Sequence, residues 1–420
     1  MKKRLIALTA ALTLAAGLLS GCASKDEPSV YWLNFKPEAD AALQKIAKTY
    51  QQQTGVPVKI VTAAAGQYEA TLTAEMDKSV PPTLFVAGNP AAVERWSDYC
   101  YDLTDTPVHD QLVSDEFALY DSTGKLCSMG YCFECFGIIV NKELLGRAGY
   151  SVVDIRDFAA LKTIAEDIHA RREELGFDAF TSSGLDDSSG WRFTGHLTNM
   201  PLYYESRDDG GWTAAPARIK GTYLDNYKNI WDLYIQNSSA DPRTLATPGN
   251  DAQGEFGRGE AVFYQNGSWE YSALVDDYGM DANELAIIPI YCGIEGEENM
   301  GLCCGTENSW AVNAMASEGD IKATLDFMLW MVTSPEGTQV MAEQFGQIPY
   351  EKAAPNPNPF LNAAVTYLEN GNELVDWVFT YTPNVDTWRA GLASALTQYS
   401  NGGDWEQVRT AFVDGWNTGE

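Results

Sequence analysis

The chain is 420 residues long, 45% hydrophobic and 12% aromatic, and carries a formal net charge of −30 at pH 7. That length exceeds one ordinary core and fits two domains. The charge excludes nucleic acid and anionic polymers as partners. It becomes −33 once the leader cations Lys2, Lys3 and Arg4 are subtracted from the −30.

The first 22 residues read as an export leader. Lys2, Lys3 and Arg4 precede an apolar run, Leu5 to Leu19, that is too short to span a membrane. Leu19-Ser20-Gly21-Cys22 closes it and resembles a lipoprotein cleavage box, in which Cys22 becomes the diacylglycerol-bearing N-terminus. Residues 23–28 then form a polar tether. Seven further cysteines remain, an odd number, so at least one thiol stays free. Cys132-x-x-Cys135 lies in extended chain, where positions three apart face opposite sides. His109, His169 and His196 show no metal spacing. The thiols therefore read as small buried hydrophobes, with no metal and no cofactor expected.

In chain order, Val30 to Phe35 is a strand. Pro37 opens a helix with Ala39, Ala42, Leu43, Ile46, Ala47 and Tyr50 on one face, stopped at Gly55. Val56 to Val61, Tyr68 to Lys78 and Thr83 to Val86 continue as strand, helix, strand, the alternation of an α/β layer structure. In such sheets ligands sit beyond the carboxyl ends of strands, which marks Asn34, Lys36, Gly88 and Asn89. Lys125 to Val140 is a strand pair containing Glu134. A helix from about Asp154 to Leu175 ends at Gly176. Ser182 to Phe193 is a loop finishing in Trp191-Arg192-Phe193, and Tyr223 to Tyr234 is helical.

Glu255 to Tyr271 then reads as helix end, strand Glu260–Gln265, and an Asn266-Gly267 turn presenting Trp269 and Tyr271 toward a crevice. Capping of a core by these two rings is the competing reading. Leu285 to Pro289 is a strand, and Ser317-x-x-Asp320 and Ser334-Pro335-Glu336 start two helices. Pro355 to Pro359 is a rigid bend, and Asp404 to Trp416 is a terminal helix with one core face.

Taken together these pieces resemble the extracellular solute-binding proteins of bacterial ABC importers, in the carbohydrate family that includes maltose-binding protein. The likeness rests on the lipoprotein box, Val30–Asn34 with its helix, Pro82–Val86, and Gly137–Leu145 with Ala148-Gly149 after it. It extends through Phe256-x-x-Gly259 to Trp269, Trp310–Asn313, and Phe327-Met328-x-Trp330-x-x-x-Ser334-x-Glu336-Gly337. The resemblance implies a two-lobed α/β fold, each lobe a mostly parallel sheet flanked by helices. Lobe I would comprise 29–134 with 306–347, and lobe II 135–305 with 348–420. Hinge crossings are expected near Cys132–Gly137, Cys303–Thr306 and Gly346–Pro349.

It also implies a monomeric, lipid-anchored protein that captures a carbohydrate between its lobes and hands it to a membrane permease. The implied ligand residues are Asn34, Lys36, Glu38, Asn89, Glu134, Asp187, Trp191, Arg192, Trp269 and Trp388, with Tyr271 added from the local pattern. Pyranoses suit these types, because aromatic faces cover C–H surfaces and carboxylates, amides and guanidinium forks pair with hydroxyls. For Glu134 a hinge salt bridge is the competing role. Two other functions compete: a polyamine or cation binder of the same fold, and a glycoside hydrolase. The second lacks a visible partner carboxyl for Glu134.

Overall fold

The computed structural model describes residues 27–64, 66–182, 184–185, 189–239 and 251–417. The leader with Cys22, and Asp187, lie outside these. Strands are named in chain order as β1 (Val30–Asn34), β2 (Val58–Thr62), β3 (Leu84–Val86), β4 (Ala118–Tyr120), β5 (Leu126–Gly130), β6 (Glu134–Asn141), β7 (Asp178–Phe180), β8 (Ala261–Gly267), β9 (Leu285–Ile288), β10 (Met300–Gly305), β11 (Ser309–Val312) and β12 (Glu373–Asp376). They form two sheets, β2-β1-β3-β11-β5-β4 and β12-β10-β6-β8-β7, with β9 added to β6. Each sheet anchors one lobe.

Both sheets are mixed, not mostly parallel. Only β1 with β2 and β3, β10 with β12, and β7 with β8 run parallel. The reason lies in the crossings. Strand β5 leads into β6, and β10 into β11, with no helix between, so these strands reach their sheets antiparallel to their neighbours.

Sequence chemistry accounts for the elements that flank the sheets. The helix Asp40–Thr54 buries Leu43, Ile46, Ala47 and Tyr50 on one face and ends at Gly55. Ser317 and Ser334 cap the helices Glu318–Thr333 and Pro335–Phe345 through their hydroxyls. In the first lobe these elements enclose Trp32, Tyr131, Trp310 and Phe345, with Tyr131 stacked 4.6 Å from Trp310. The second lobe buries apolar side chains on both faces of its sheet.

Three segments join the lobes. Residues 131–133 carry the chain from β5 to β6, and 306–308 carry it from β10 to β11. The third lies later than expected. Gly346 and Gln347 pair with Phe133, but Ile348 and Tyr350 then pack back into the first-lobe core. The chain crosses at 356–358, where Asn356 donates to the Ala342 carbonyl and Asn358 to the Ser268 carbonyl. The proline-rich bend is thus itself the crossing, stiffened by residues that fix φ.

Candidate functional site

The site is built where β1, the first crossing and the end of β8 converge. Strand β1 stops at Asn34, whose amide donates to the Lys36 carbonyl (2.7 Å) and accepts from the Lys36 N–H (3.1 Å). This closed loop turns Lys36 inward. Its Nζ lies 2.5 Å from Glu134 Oε1 and 3.1 Å from Glu38 Oε1. Lys36 and Glu134 are both buried, whereas Glu38 stands at the exposed rim. Burial opposes the lysine charge, but Glu134 and Glu38 outweigh it and hold the ammonium protonated. Burial likewise pushes the Glu134 carboxyl up, with Lys36 pulling it back.

The same ammonium reaches the second lobe. It lies 5.7 Å from the centroid of the Trp269 ring and 6.0 Å from that of Phe345. The half-buried Trp269 therefore sits at the boundary between the lobes, within reach of a first-lobe cation. Its approach differs from the expected Asn266-Gly267 turn. Strand β8 runs on through Gly267, paired residue for residue with β6, and the chain turns only at 268–270. Gly267 serves a different need: a Cβ there would lie 2.2 Å from the Trp269 ring, which folds back over the strand.

Around Trp269 stands an aromatic wall. His196 stacks on Phe136 at 3.9 Å, and its ring lies 5.5 Å from Trp269 and 4.9 Å from Trp191. Trp191 is 6.0 Å from Trp269. The Gln265 amide nitrogen is 3.0 Å from His196 Nδ1; with that amide donating, the imidazole proton rests on Nε2. Burial, then Arg389 and Arg192, drive the histidine pKa well down, so the ring is neutral. A neutral imidazole and two indoles thus gather beside a buried lysine–glutamate pair.

A family model for bacterial extracellular solute-binding proteins matches residues 45–367. The chain belongs to that family. This solute-binding protein is 22% identical over 284 residues to the multiple sugar-binding protein of Streptococcus mutans, an alignment that spans 64% of each chain. Among solved structures it is similar in fold to the GacH receptor of Streptomyces glaucescens (19% identity, TM-score 0.69, covering 93% of this chain and 97% of the other). It is likewise similar to RafE, solved with raffinose (17% identity, TM-score 0.69, covering 93% and 100%). The family makes it a binding protein and not an enzyme.

Within this solute-binding protein, the structure brings Lys36, Glu38, Glu134, Trp191 and Trp269 together. The other expected residues that the structure describes are engaged in contacts of their own. Asn34 spends its amide on its own turn and on Thr62. Asn89 caps the helix Pro90–Trp96 by accepting from Ala92 N–H. Arg192 is buried behind the wall, over Tyr264 and Phe193, donating to the Gln265 carbonyl. Tyr271 turns to the opposite face of the sheet, edge-on to Phe360. Trp388 is a core residue whose indole N–H donates to the Phe412 carbonyl. Asp187 is outside the described residues.

Three groups at the site carried no strong sequence signal. His196 looked like an isolated histidine. Glu270, buried and bonded to Gln253 Nε2 at 2.8 Å, has its carboxyl pushed up by burial. Arg389 follows Trp388 on the helix Val385–Ser400, and its guanidinium lies over Phe379 and against Gly195. It draws down the Glu307 carboxyl, which burial otherwise raises. Seven cysteines are buried and unpaired. Cys132 faces Glu134 and Thr306 while Cys135 donates to the Phe360 carbonyl, so the two lie on opposite faces. No cluster suited to a metal occurs among the described residues.

Proposed function

We propose that this protein captures an oligosaccharide at the boundary between its lobes, closes over it, and delivers it to the permease of an ABC importer. Diacylglycerol on Cys22 would hold it at the outer face of the cell membrane. One observation carries the reading: a half-buried indole of the second lobe, Trp269, faces a cation of the first, Lys36, at 5.7 Å. Stacking faces and hydrogen-bonding edges from both lobes therefore converge, so a ligand touching both favours the closed form by its greater affinity for it. The name of the Streptococcus mutans relative, and the sugars bound by the two solved neighbours, support the same ligand class.

A polyamine is a poorer match. Glu134 and Glu38 are already partnered by Lys36, and Arg389 and Arg192 add positive charge beside Glu307 and Glu270. The test is calorimetric titration with raffinose, acarbose and maltotriose, alongside spermidine. We expect sugar binding that varies little with salt and weakens about 30-fold or more in Trp269→Ala, as for a central aromatic anchor. Unchanged sugar affinity in that variant would overturn the reading. For the anchor, Cys22→Ala should move the protein from the membrane fraction to the medium.

A further inference from the structure

A second concavity lies on the flank of the second lobe. The end of the helix Leu197–Asp208, the turn after it, and residues 376–381 border a half-open concavity of about 470 Å³. Trp212 and Tyr381 line it as half-buried rings, and the buried Tyr203 and Trp377 border it. Arg207 and Asp376 supply charge of opposite sign at exposed positions.

The polar groups are available to a ligand. Arg207 lies over Tyr204, its Cζ 4.6 Å from the ring, and has no carboxylate partner among the described residues. Asp376 uses its backbone carbonyl to accept from Asn199, leaving the carboxylate at the cavity. The Tyr203 hydroxyl, pushed up to about 12 by burial and by Asp376, stays a donor at neutral pH. The Trp377 indole N–H is buried with no partner among the described residues. An anion would meet Asp376 and a cation would meet Arg207. A neutral polyol with an apolar face suits both charges and the rings.

The cavity is distinct from the site between the lobes. His196 and Ser206 are ten positions apart along the helix, about 15 Å at 1.5 Å per residue. The two are nevertheless linked, because Trp377 packs 5.4 Å from Phe136, on which His196 stacks. We propose that this cavity is a second sugar site that takes a single pyranose unit, stacked on Trp212 and Tyr381 and edged by Arg207 and Asp376. It stands on its own residues and holds whether or not the inter-lobe reading does.

The experiment combines calorimetry with saturation-transfer NMR, using raffinose and maltotriose as probes. Wild type, Trp269→Ala, Trp269→Ala/Arg207→Ala and Trp269→Ala/Asp376→Asn are compared, with melting curves to confirm folding. Trp269→Ala should retain weak binding, and either second change should reduce it about tenfold or more, the loss of one charge-assisted hydrogen bond. The proposal falls if Trp269→Ala shows no saturation transfer, or if the double variants bind as Trp269→Ala does. Failure of the inter-lobe reading is separate: there, Trp269→Ala would match wild type while both double variants bound about tenfold or more weakly.

Discussion

Replacing Lys36 by methionine tests the buried ion pair of the inter-lobe site. The side chains of Lys36 and Glu134 are 4% and 5% exposed, so the change leaves a buried carboxyl without its cation. What remains to Glu134 is weak: Asn308 Nδ2 at 3.4 Å and the Cys132 thiol at 3.7 Å. Removing one member of a buried pair costs about 3–5 kcal/mol, because the other charge is stranded. In lobes of this size each kcal/mol moves the melting midpoint by roughly 2–4 °C, so Lys36→Met should melt about 6–20 °C below wild type. Lys36→Met/Glu134→Gln should recover most of that loss, since no buried charge is left.

The pH dependence has a definite sign. Without Lys36, burial pushes the Glu134 carboxyl up unopposed, from an ordinary value of 4.5. The folded variant then keeps a proton that the unfolded chain has released. Its stability therefore falls as pH rises above about 4.5 and recovers as pH drops back. Urea unfolding followed by tryptophan fluorescence between about pH 5 and pH 8 reads this directly. A Lys36→Met protein as stable as wild type at neutral pH, with the double variant no better, would refute the argument.

Three other changes separate site from scaffold. Gly267→Ala puts a methyl 2.2 Å from the Trp269 ring, so the ring must move; affinity for whichever probe sugar wild type binds should fall about tenfold or more, read by calorimetry. Trp388→Ala should cost about 3–5 kcal/mol in urea unfolding, as a core truncation does, while the folded fraction binds the probe sugar as wild type does. Arg389→Ala should weaken affinity about tenfold through a lost charge-assisted hydrogen bond and also lower the melting midpoint, because Glu307 loses the cation that draws its carboxyl down.

The two-lobed architecture was legible because its signals are local: periodic apolar faces, caps and stop residues, in a recognisable order. The site was legible only in part. Lys36, Glu134 and Trp269 were each singled out, but nothing in the chain says that a lysine at the end of β1 meets a glutamate 98 positions later. Trp388 and Arg389 show the limit plainly. Adjacent helical residues point about 100° apart, and one position decides which faces the boundary and which the core. Asn266-Gly267 carries a hairpin-turn signature, yet pairing with β6 holds both in the strand. The third crossing moved because Ile348 and Tyr350 found a core that local pattern does not reveal.

The placement of Lys36 has a mechanical corollary. Its ammonium travels with the first half of the molecule and Trp269 rides on the second, while Glu134 begins the strand just past residues 131–133, near the pivot. If the lobes part as the proposed closure implies, the ammonium would leave the indole. Trp269 fluorescence would then report that parting, because the charge beside its ring would change with it.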